Sequence, residues 1–581
     1  MTRALRLWPW LAAVVTGLGY RACFAPFDQA WLCWIALTPL LAAIWFSGAA
    51  WKRRWLRDLL LGYLAGVIFF WGVFSWLVTV TVPGMILVGL YMGIYFAIWS
   101  WLAGVLRPRP RAPKPASGLE AVTRRLEERR RAAGLTSNPS GEILAPVSPQ
   151  IRSPWLSSLH NLRLAFLLSA VWVALETVRG LLFSGWGWNS LGSALHSQWA
   201  MIQIVELTGV PGLSFLVAFT NVILVATVCR FVIENAVKKM RPHYDFTLTM
   251  AAIIGVMGFG IRAVQERPPV TPVRVSAVQS NVPREQKFNA DFAQATFDKF
   301  TRLSQLALPS QPDLLIWPES SMPDPVLPGT PSYQFVMRFC AETKTDLLLG
   351  VIDEDEHDAY NAAMLVSRAG QETQLYRKLH LVPFGEYVPG RNTLPGIGAI
   401  VGDQVPADFG FGKDYTVFRL TRPDVRVAPL ICFEDTIGEL TRQFVLRGAN
   451  LLANVTNDGW FQRSAGSQQH LANAVFRCVE TRLPMVRAAN TGVTCFINEF
   501  GRITQVLLDE TGSQFTEGVL SGEVEVPTQY RPTFYVLHGE LFAQVCCAIA
   551  ALTFLGVIPL LVRRKRAAPR LSTELLSSRD N

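Results

Sequence analysis

Long apolar runs occupy the first half and the C-terminal end of this chain. A helix that crosses a membrane needs about 20 mostly apolar residues. Runs near this length lie at about residues 7–24, 29–47, 58–79, 85–106, 163–184, 208–233, 246–264 and 541–562. They predict an α-helical transmembrane bundle of about eight spans. The first run is short, which leaves a cleaved signal peptide as its alternative, but another apolar run follows at once.

Positive charge marks one side of the predicted bundle. Lys and Arg cluster before the first run and after the second, fourth, sixth and eighth runs, while the opposite loops at 80–84 and 185–207 contain none. Cytoplasmic loops collect these residues, so we expect both termini inside and the large polar segment outside. The predicted domains are a membrane domain at 1–264 with seven spans, an extramembrane domain at 265–540, a last span at 541–562 and a cytoplasmic tail at 563–581.

A basic insert interrupts the membrane domain at about 107–155. It is rich in Pro, Arg, Ser and Gly, which is typical of a solvated linker or of a contact with anionic lipid headgroups. Much of the net charge of +10 lies in this insert and in the cytoplasmic loops. A nucleic-acid partner is therefore not expected.

Within 271–525, short apolar runs alternate with amphipathic stretches, which predicts an α/β domain. A helix is predicted between the first two strands, because apolar residues recur there at helical spacing. The predicted strands are at 273–279, 313–318, 346–352, 362–367, 427–432 and 449–455. Glu319 and Cys432 each come just after a predicted strand, where a sheet can hold reactive side chains at one pocket.

Three motifs in this region carry a carboxylate, an ammonium and a thiol. Glu319 lies in LLIWPES, Lys378 in LYRKLHLVPFGEYVP and Cys432 in APLICFED. A free thiol has a pKa of about 8.5, so it needs a base such as Glu319 to become a nucleophile. A cation such as Lys378 can stabilise the oxyanion that forms in acyl transfer. The three types together predict a Glu-Lys-Cys triad for nucleophilic acyl transfer.

Each of these residues has a plainer interpretation when taken alone. Glu319 is then a loop carboxylate, Lys378 a surface cation and Cys432 a buried structural cysteine. Cys478, in a predicted helix at 468–483, and Cys495, in a predicted strand, are rival thiols for which packing is the better interpretation.

The three motifs also resemble those of a known superfamily. Together with NVTNDGWF at 454–461 and the segment at 468–492, they are similar to the carbon–nitrogen hydrolase (nitrilase) superfamily. With the apolar half added, the chain resembles the bacterial apolipoprotein N-acyltransferases over about 1–106 and 155–562. The resemblance implies a four-layer αββα sandwich on a multi-span membrane domain.

The resemblance also assigns supporting positions. Glu386 matches a glutamate that supports the lysine, and Glu434 matches a second acidic residue of the acyltransferases. Phe433 stands where a Tyr is frequent and Phe288 about where a Trp is frequent, so an aromatic surface is kept but a hydroxyl or indole donor is not. We expect Asn457 to fix the loop beside the nucleophile.

A Gly- and Pro-rich segment at 388–412 follows Glu386. It carries Ile397 and Ile400 and has no clear helix or strand period. Long irregular loops in compact domains are often functional lids, so we predict that these two side chains, with Phe288, bind lipid. The alternative is that they complete a local core.

Two ionisable residues fall within the fifth apolar run. Glu176 and Arg179 are spaced i, i+3 and can pair on one helix face. Ionisable groups at such a depth often mark function, but a structural ion pair is an equal alternative.

The sequence predicts no cofactor and no metal. The nine cysteines form no repeated CxxC, the seven histidines form no HExxH, and neither GxxxxGK[ST] nor GxGxxG occurs. These patterns disfavour a disulfide scaffold and a zinc ribbon and give no support to an ATP-driven transporter.

The family implies an enzyme that takes a fatty acyl chain from a phospholipid donor and transfers it, by ping-pong chemistry, to a diacylglyceryl apolipoprotein. We expect a monomer in the bacterial inner membrane with its catalytic domain on the periplasmic side. A membrane-tethered amidase or nitrilase is the alternative among enzymes, although it gives no reason for eight spans. A catalytically silent binding or transport protein is a further alternative that does not require the three side chains.

Overall fold

The computed structural model describes residues 4–47, 51, 53–107, 154–236, 240–391 and 407–567. The basic insert at 108–153 and the segment at 392–406, which includes Ile397 and Ile400, lie outside these residues.

The N-terminal half is a bundle of apolar helices. Its helices are α1 (Ala4–Arg21), α2 (Thr38–Phe46), α3 (Arg54–Val73), α4 (Val82–Leu106), α5 (Pro154–Arg179), α6 (Val210–Ala236) and α7 (Tyr244–Ala263). A last long helix, α12 (Leu541–Ala567), follows the extramembrane domain and packs on α5. Among the described residues, six helices are long and apolar enough to cross a membrane, namely α3 to α7 and α12. The prediction of a helical membrane domain is confirmed.

The remaining two predicted spans fall on shorter helices. The first coincides with α1, and the second is divided between a 3-10 helix, Ala30–Trp34, and α2. Asn221 of α6 stabilises this break, because its Nδ2 donates to the Cys33 carbonyl at 2.9 Å and its Oδ1 accepts from the Leu37 N–H at 2.9 Å. Such partners are needed because an unpaired backbone group in an apolar surrounding is costly.

The extramembrane domain contains two six-stranded sheets. The first has the order β12-β1-β2-β3-β4-β5 and the second the order β11-β10-β9-β8-β7-β6. The strands are β1 (Val270–Gln279), β2 (Leu314–Trp317), β3 (Asp346–Glu354), β4 (Ala359–Val366), β5 (Thr373–Arg377), β6 (Phe418–Arg419), β7 (Arg426–Ile431), β8 (Leu451–Thr456), β9 (Met485–Ala489), β10 (Cys495–Ile497), β11 (Ile503–Val506) and β12 (Gly518–Pro527). All six predicted strands are present, within a few residues of their predicted bounds.

Helices cover the outer face of each sheet. Helices α8 (Ala293–Ala307) and α9 (Pro331–Thr343) pack on the first sheet, where Phe300 lies 4.8 Å from Trp317 between ring centroids. Helices α10 (Gly438–Leu446) and α11 (Gly466–Thr481) pack on the second. The inner faces of the sheets contact each other through β1 with β9 and β3 with β8. This is the predicted four-layer αββα sandwich. The central strands are buried on both faces, which is why β2 is a continuous apolar run and β8 is apolar apart from Asn454 and Thr456.

The two domains share a polar and aromatic junction. Gln469 of α11 donates from Nε2 to the carbonyl groups of Ala25 and Val73, both at 3.1 Å, and its Oε1 accepts from the indole of Trp76 at 3.2 Å. The Trp76 ring also lies 4.7 Å from the ring of Phe461. The buried amide of Gln469 therefore provides hydrogen-bond partners for groups in two segments of the membrane domain.

We predict that Gln469→Leu destabilises the full-length protein. The change leaves two carbonyl groups and one indole N–H without partners, and each buried unpaired group costs about 1–3 kcal/mol. The melting temperature in detergent should fall clearly. The neighbouring Gln468 is exposed, so Gln468→Leu is the matched control and should melt like wild type. Equal melting temperatures for the two variants would contradict the prediction.

Candidate active site

Glu319 lies on a turn that is held close to the sheet. It follows β2 by two residues, and the turn packs on Gly350 of β3, where a Cβ would come within 2.5 Å of the Glu319 Cα. Lys287 donates from Nζ to the carbonyl groups of Glu319 and Ser320, at 2.9 and 3.1 Å. Ser320 has a φ of 50°. A residue other than glycine keeps this strained backbone conformation only where the surrounding contacts hold the turn in place. The position of the Glu319 side chain is thus fixed by its backbone.

The carboxyl group of Glu319 has one bonded and one unbonded oxygen. Asn361 donates from Nδ2 to Oε1 at 2.7 Å, while Oε2 is buried and has no hydrogen-bond partner among the described residues. Burial raises the pKa of Glu319, and the Lys378 ammonium opposes this shift. A buried carboxyl group with a raised pKa and a free oxygen is suited to accept a proton.

Lys378 is a buried ammonium directly after β5. Its Nζ lies 2.9 and 2.8 Å from the two oxygens of Glu386, and its side chain is 1% exposed. Burial opposes its charge, but Glu386 and then Glu319 raise its pKa above the ordinary value. Lys378 is therefore a permanent cation. Glu386 is itself fixed by the Val382 N–H at 2.7 Å and by Asn361 at 2.6 Å.

Cys432 forms a sharp turn directly after β7. It is partly exposed and has a φ of 51°, and its carbonyl oxygen accepts from Asn454 Nδ2 at 3.0 Å. Burial and the charge of Glu319 raise the pKa of its thiol, while Lys378 acts in the opposite direction. The structure thus brings Glu319, Lys378 and Cys432 into one electrostatically coupled cluster. A thiol in this environment is neutral until a base takes its proton.

The supporting residues surround this cluster. Glu434 is fully buried and accepts four hydrogen bonds, from the Tyr376 hydroxyl and from the backbone N–H groups of Ile431, Leu379 and His380. Burial raises its pKa to about 7, against the charge of Lys378. The carboxyl group of Glu434 therefore joins the Lys378 segment to the Cys432 turn.

Aromatic and amide residues complete the surroundings. Phe433 stacks between His380 and Trp188, with ring centroids 5.8 and 6.0 Å away. Asn457 accepts from the Gly459 N–H and from Asn490, so its contacts agree with a role in fixing the loop. Phe288 is 52% exposed at a φ of 61° and lines a cavity with Lys287 and Ser320. Lipid binding by Phe288 stays a prediction, as it does for Ile397 and Ile400.

A buried charge cluster lies behind Cys432. His470 Nε2 is 2.8 Å from Asp435 and 3.3 Å from the Cys432 carbonyl oxygen, and its Nδ1 is 3.0 Å from Asp458. Arg487 bonds to both aspartates. Burial lowers the pKa of His470, but the charge of Asp435 and the hydrogen bonds to Asp435 and Asp458 together raise it above its ordinary value. A protonated His470 makes the cluster neutral, with two cations and two anions.

Sequence reasoning did not identify Asn361, Lys287 or His470. Asn361 is a polar residue within the buried, mostly apolar part of β4, which is a usable signal. Lys287 and His470 lie in segments with many polar residues, and only the fold brings them to the site.

The possible pairing of Glu176 with Arg179 is not a direct salt bridge in the described residues. The carboxyl group of Glu176 instead accepts from the Trp172 indole at 2.8 Å and from the Leu191 N–H at 2.7 Å. Within the part of the chain that the structure describes, Nε and Nη2 of Arg179 have no hydrogen-bond partner, although the charge of Arg179 still attracts Glu176. The helix spacing allowed the pair, but the following loop supplied better donors.

The described residues also contain no group of three or more His, Cys, Asp or Glu side chains suited to a metal ion.

Comparison with known proteins identifies the family. The carbon-nitrogen hydrolase family model matches residues 274–530, and the model of the apolipoprotein N-acyltransferase N-terminal domain matches 16–123 and 144–223. An apolipoprotein N-acyltransferase of Geobacter metallireducens is 32% identical over 96% of this chain and 96% of its own length. The chain belongs to the apolipoprotein N-acyltransferase family.

Other relatives are more distant. Apolipoprotein N-acyltransferase 1 of Treponema denticola is 27% identical over 68% of this chain and 78% of its own length. A crystal structure of a CN-hydrolase superfamily protein from Xanthomonas campestris shares 17% identity and a TM-score of 0.34, covering 44% of this chain and 90% of that one. Membership of the apolipoprotein N-acyltransferase family confirms the prediction of a multi-pass membrane acyltransferase with a carbon–nitrogen hydrolase domain.

We predict that His470 makes stability depend on pH. Its folded pKa is raised above the unfolded value of about 6.5. Its stabilising effect is then complete below about pH 6.5 and is lost as pH rises through the folded pKa. The difference in melting temperature between wild type and His470→Gln should therefore narrow as pH rises. His538 is exposed, and His538→Gln should give a small difference at every pH. A difference in melting temperature between wild type and His470→Gln that widens as pH rises would contradict the prediction.

Proposed function

We propose that this protein transfers a fatty acyl chain from a phospholipid, through a thioester on Cys432, to the α-amino group of a diacylglyceryl-cysteine at the N-terminus of an apolipoprotein. The observation that carries the proposal is the buried cluster in which a neutral thiol, a carboxyl group with one free oxygen and a permanent cation are coupled. The family supports the choice of donor and acceptor.

The first half-reaction forms the thioester. Glu319 takes the proton of Cys432, and the thiolate attacks an ester carbonyl carbon of the donor. Lys378 stabilises the oxyanion of the tetrahedral intermediate. The intermediate collapses as the bond from the carbonyl carbon to the glycerol oxygen breaks. The leaving oxygen takes the proton from Glu319, and a lysophospholipid departs.

The second half-reaction uses the same groups with an amine. The α-amino nitrogen of the acceptor attacks the thioester carbonyl, and Glu319 takes a proton from this nitrogen. The carbon–sulfur bond breaks, and the thiolate takes the proton from Glu319. The products are an amide, which makes the lipoprotein triacylated, and the free enzyme.

The arrangement around Glu319 suits a base that must both take and return a proton. Burial raises its pKa, which makes proton acceptance favourable, while Lys378 keeps the charged form accessible. Asn361 donates to Glu319 and to Glu386 from one amide nitrogen. It therefore keeps the base and the partner of the cation at a fixed separation.

The same proposal places the enzyme in the inner membrane with its catalytic domain on the periplasmic side. Helix α3 begins at the basic residues Arg54 and Arg57 and ends beside Trp76, which contacts the catalytic domain. The basic end of α3 and the catalytic domain are therefore at opposite ends of this helix. By the positive-inside tendency the basic end is cytoplasmic. One chain carries all the proposed catalytic groups, so we propose a monomer.

We predict that full-length protein purified from membranes carries a fatty-acyl adduct on Cys432, detectable by mass spectrometry. Cys432→Ala should abolish the adduct and the transfer of labelled acyl chains to a lipopeptide. Glu319→Gln should slow acylation by about 10²- to 10⁴-fold through loss of the base. Lys378→Met should slow it by about 10²- to 10³-fold through loss of oxyanion stabilisation.

Cys478 provides the matched control, because it is buried in α11. Cys478→Ala should retain the adduct. A thioester in the Cys432→Ala protein would show that the nucleophile is assigned wrongly. Release of free fatty acid without transfer to the lipopeptide would favour the hydrolase alternative.

A further inference from the structure

Arg179 is a buried cation whose guanidinium is only partly hydrogen-bonded. It ends α5, its residue is 3% exposed, and its Nε and Nη2 have no hydrogen-bond partner among the described residues. Its guanidinium lies 5.3 Å from the centroid of the Phe70 ring, which supplies only a weak attraction. A guanidinium withdrawn from water is strongly destabilising unless it is paired and hydrogen-bonded. Glu176 attracts Arg179 electrostatically but accepts its hydrogen bonds from Trp172 and Leu191.

Two further donors near Arg179 are also unsatisfied. The indole N–H groups of Trp186 and Trp188 are buried and have no acceptor in the described parts of the chain. Trp186 is joined to Arg179 through the backbone, because its N–H donates to the Arg179 carbonyl at 3.2 Å. Both indole rings lie against Phe433, at 5.8 and 6.0 Å between centroids. Unsatisfied buried donors are rare in folded proteins, and here they occur beside the residue that follows Cys432.

Other arginines at the same end of the bundle are satisfied. Arg21, at the end of α1, donates to the carbonyl groups of Phe24 and Ala25 at 3.3 and 2.9 Å. Arg262, near the end of α7, bonds to Glu266 on the exposed surface at 3.2 Å. The lack of hydrogen-bond partners at Nε and Nη2 of Arg179 is therefore not a general property of arginines at helix ends in this bundle.

Arg179 is the last residue of a helix that is long and apolar enough to cross a membrane, so we place it near the level of the lipid headgroups. The residues that follow it include Leu181 and Phe183, which are 73% and 79% exposed, as expected for side chains that meet lipid. The anions at this level of a bilayer are the phosphate groups of phospholipids. A planar guanidinium matches the oxygens of a phosphate in a bidentate manner.

We propose that Arg179, together with the indole N–H groups of Trp186 and Trp188, binds the phosphodiester of the acyl-donor phospholipid. This inference rests on the proposed phospholipid donor and adds the group by which that donor is recognised. The phosphodiester is common to all glycerophospholipids, so the enzyme should accept donors with different headgroups. Lipid esters without phosphate should be poor donors.

The test compares two donors in full-length enzyme. One is a phosphatidylethanolamine or phosphatidylglycerol in mixed micelles, and the other is p-nitrophenyl palmitate, an acyl ester without phosphate. The measured quantity is the rate of thioester formation on Cys432 with each donor. For Arg179→Gln, the ratio of the phosphatidyl rate to the p-nitrophenyl rate should fall by about 10- to 100-fold, the usual effect of losing charge-assisted hydrogen bonds.

Conservative variants separate recognition from folding. Arg179→Lys keeps the positive charge but loses the planar guanidinium that can donate two parallel hydrogen bonds. The ratio of the phosphatidyl rate to the p-nitrophenyl rate should therefore fall less than in Arg179→Gln. Trp186→Phe and Trp188→Phe each remove one N–H and should lower the ratio by about 3- to 10-fold. Arg262→Gln removes an exposed cation at the same end and should leave the ratio unchanged, which excludes a general attraction of charged micelles.

Three results would overturn the proposal. An equal loss with both donors would show that Arg179 only supports the fold, and an unchanged ratio would remove it from donor recognition. A rise in wild-type acylation by p-nitrophenyl palmitate on addition of inorganic phosphate, lost in Arg179→Gln, would show that free phosphate is the ligand. A missing thioester with both donors in wild type would instead contradict the proposed function, so the two failures can be distinguished.

Discussion

The catalytic cluster depends on the balance between buried carboxyl groups and one buried ammonium. Glu319, Glu386 and Glu434 all lie within the electrostatic reach of Lys378. Lys378, even with Lys287 also attracting Glu319, cannot neutralise three carboxylates in a medium of low dielectric constant. Glu386 takes the two short bonds to Lys378, and the pKa of Glu434 rises to about 7. Glu319 keeps the free oxygen, so it is the carboxyl group best able to exchange a proton with the thiol.

Much of the fold and the main residues of the site could be predicted from the sequence. The strands were identifiable because buried central strands are largely apolar runs, and Cys432 follows one of them directly while Glu319 follows another by two residues. The short strand β6 and the exposed strand β11 carry no such signal. The break in the second apolar run could not be foreseen either, because Asn221, which stabilises it, lies far away in the sequence.

The polar contacts of the site were the part that sequence reasoning could not supply. Asn361, Lys287 and His470 each form two or more hydrogen bonds whose partners are set by the tertiary packing. The spacing of Glu176 and Arg179 allowed an ion pair, yet spacing along one helix cannot report the donors that another loop brings. Residue type indicates what a side chain can do, and the tertiary structure decides which of its possible partners it meets.

Neighbouring residues of α11 have contacts on both sides of the domain boundary. Gln469 binds the Ala25 and Val73 carbonyls of the membrane domain, and His470 lies against the carbonyl of Cys432. Trp188 of the membrane domain also stacks on His470. Residues of the membrane domain therefore form part of the surroundings of the nucleophile. In evolutionary terms, the hydrolase domain is then no longer an independent module. A gene fusion that joined it to a different membrane domain would have to preserve the contacts of this junction as well as the three motifs.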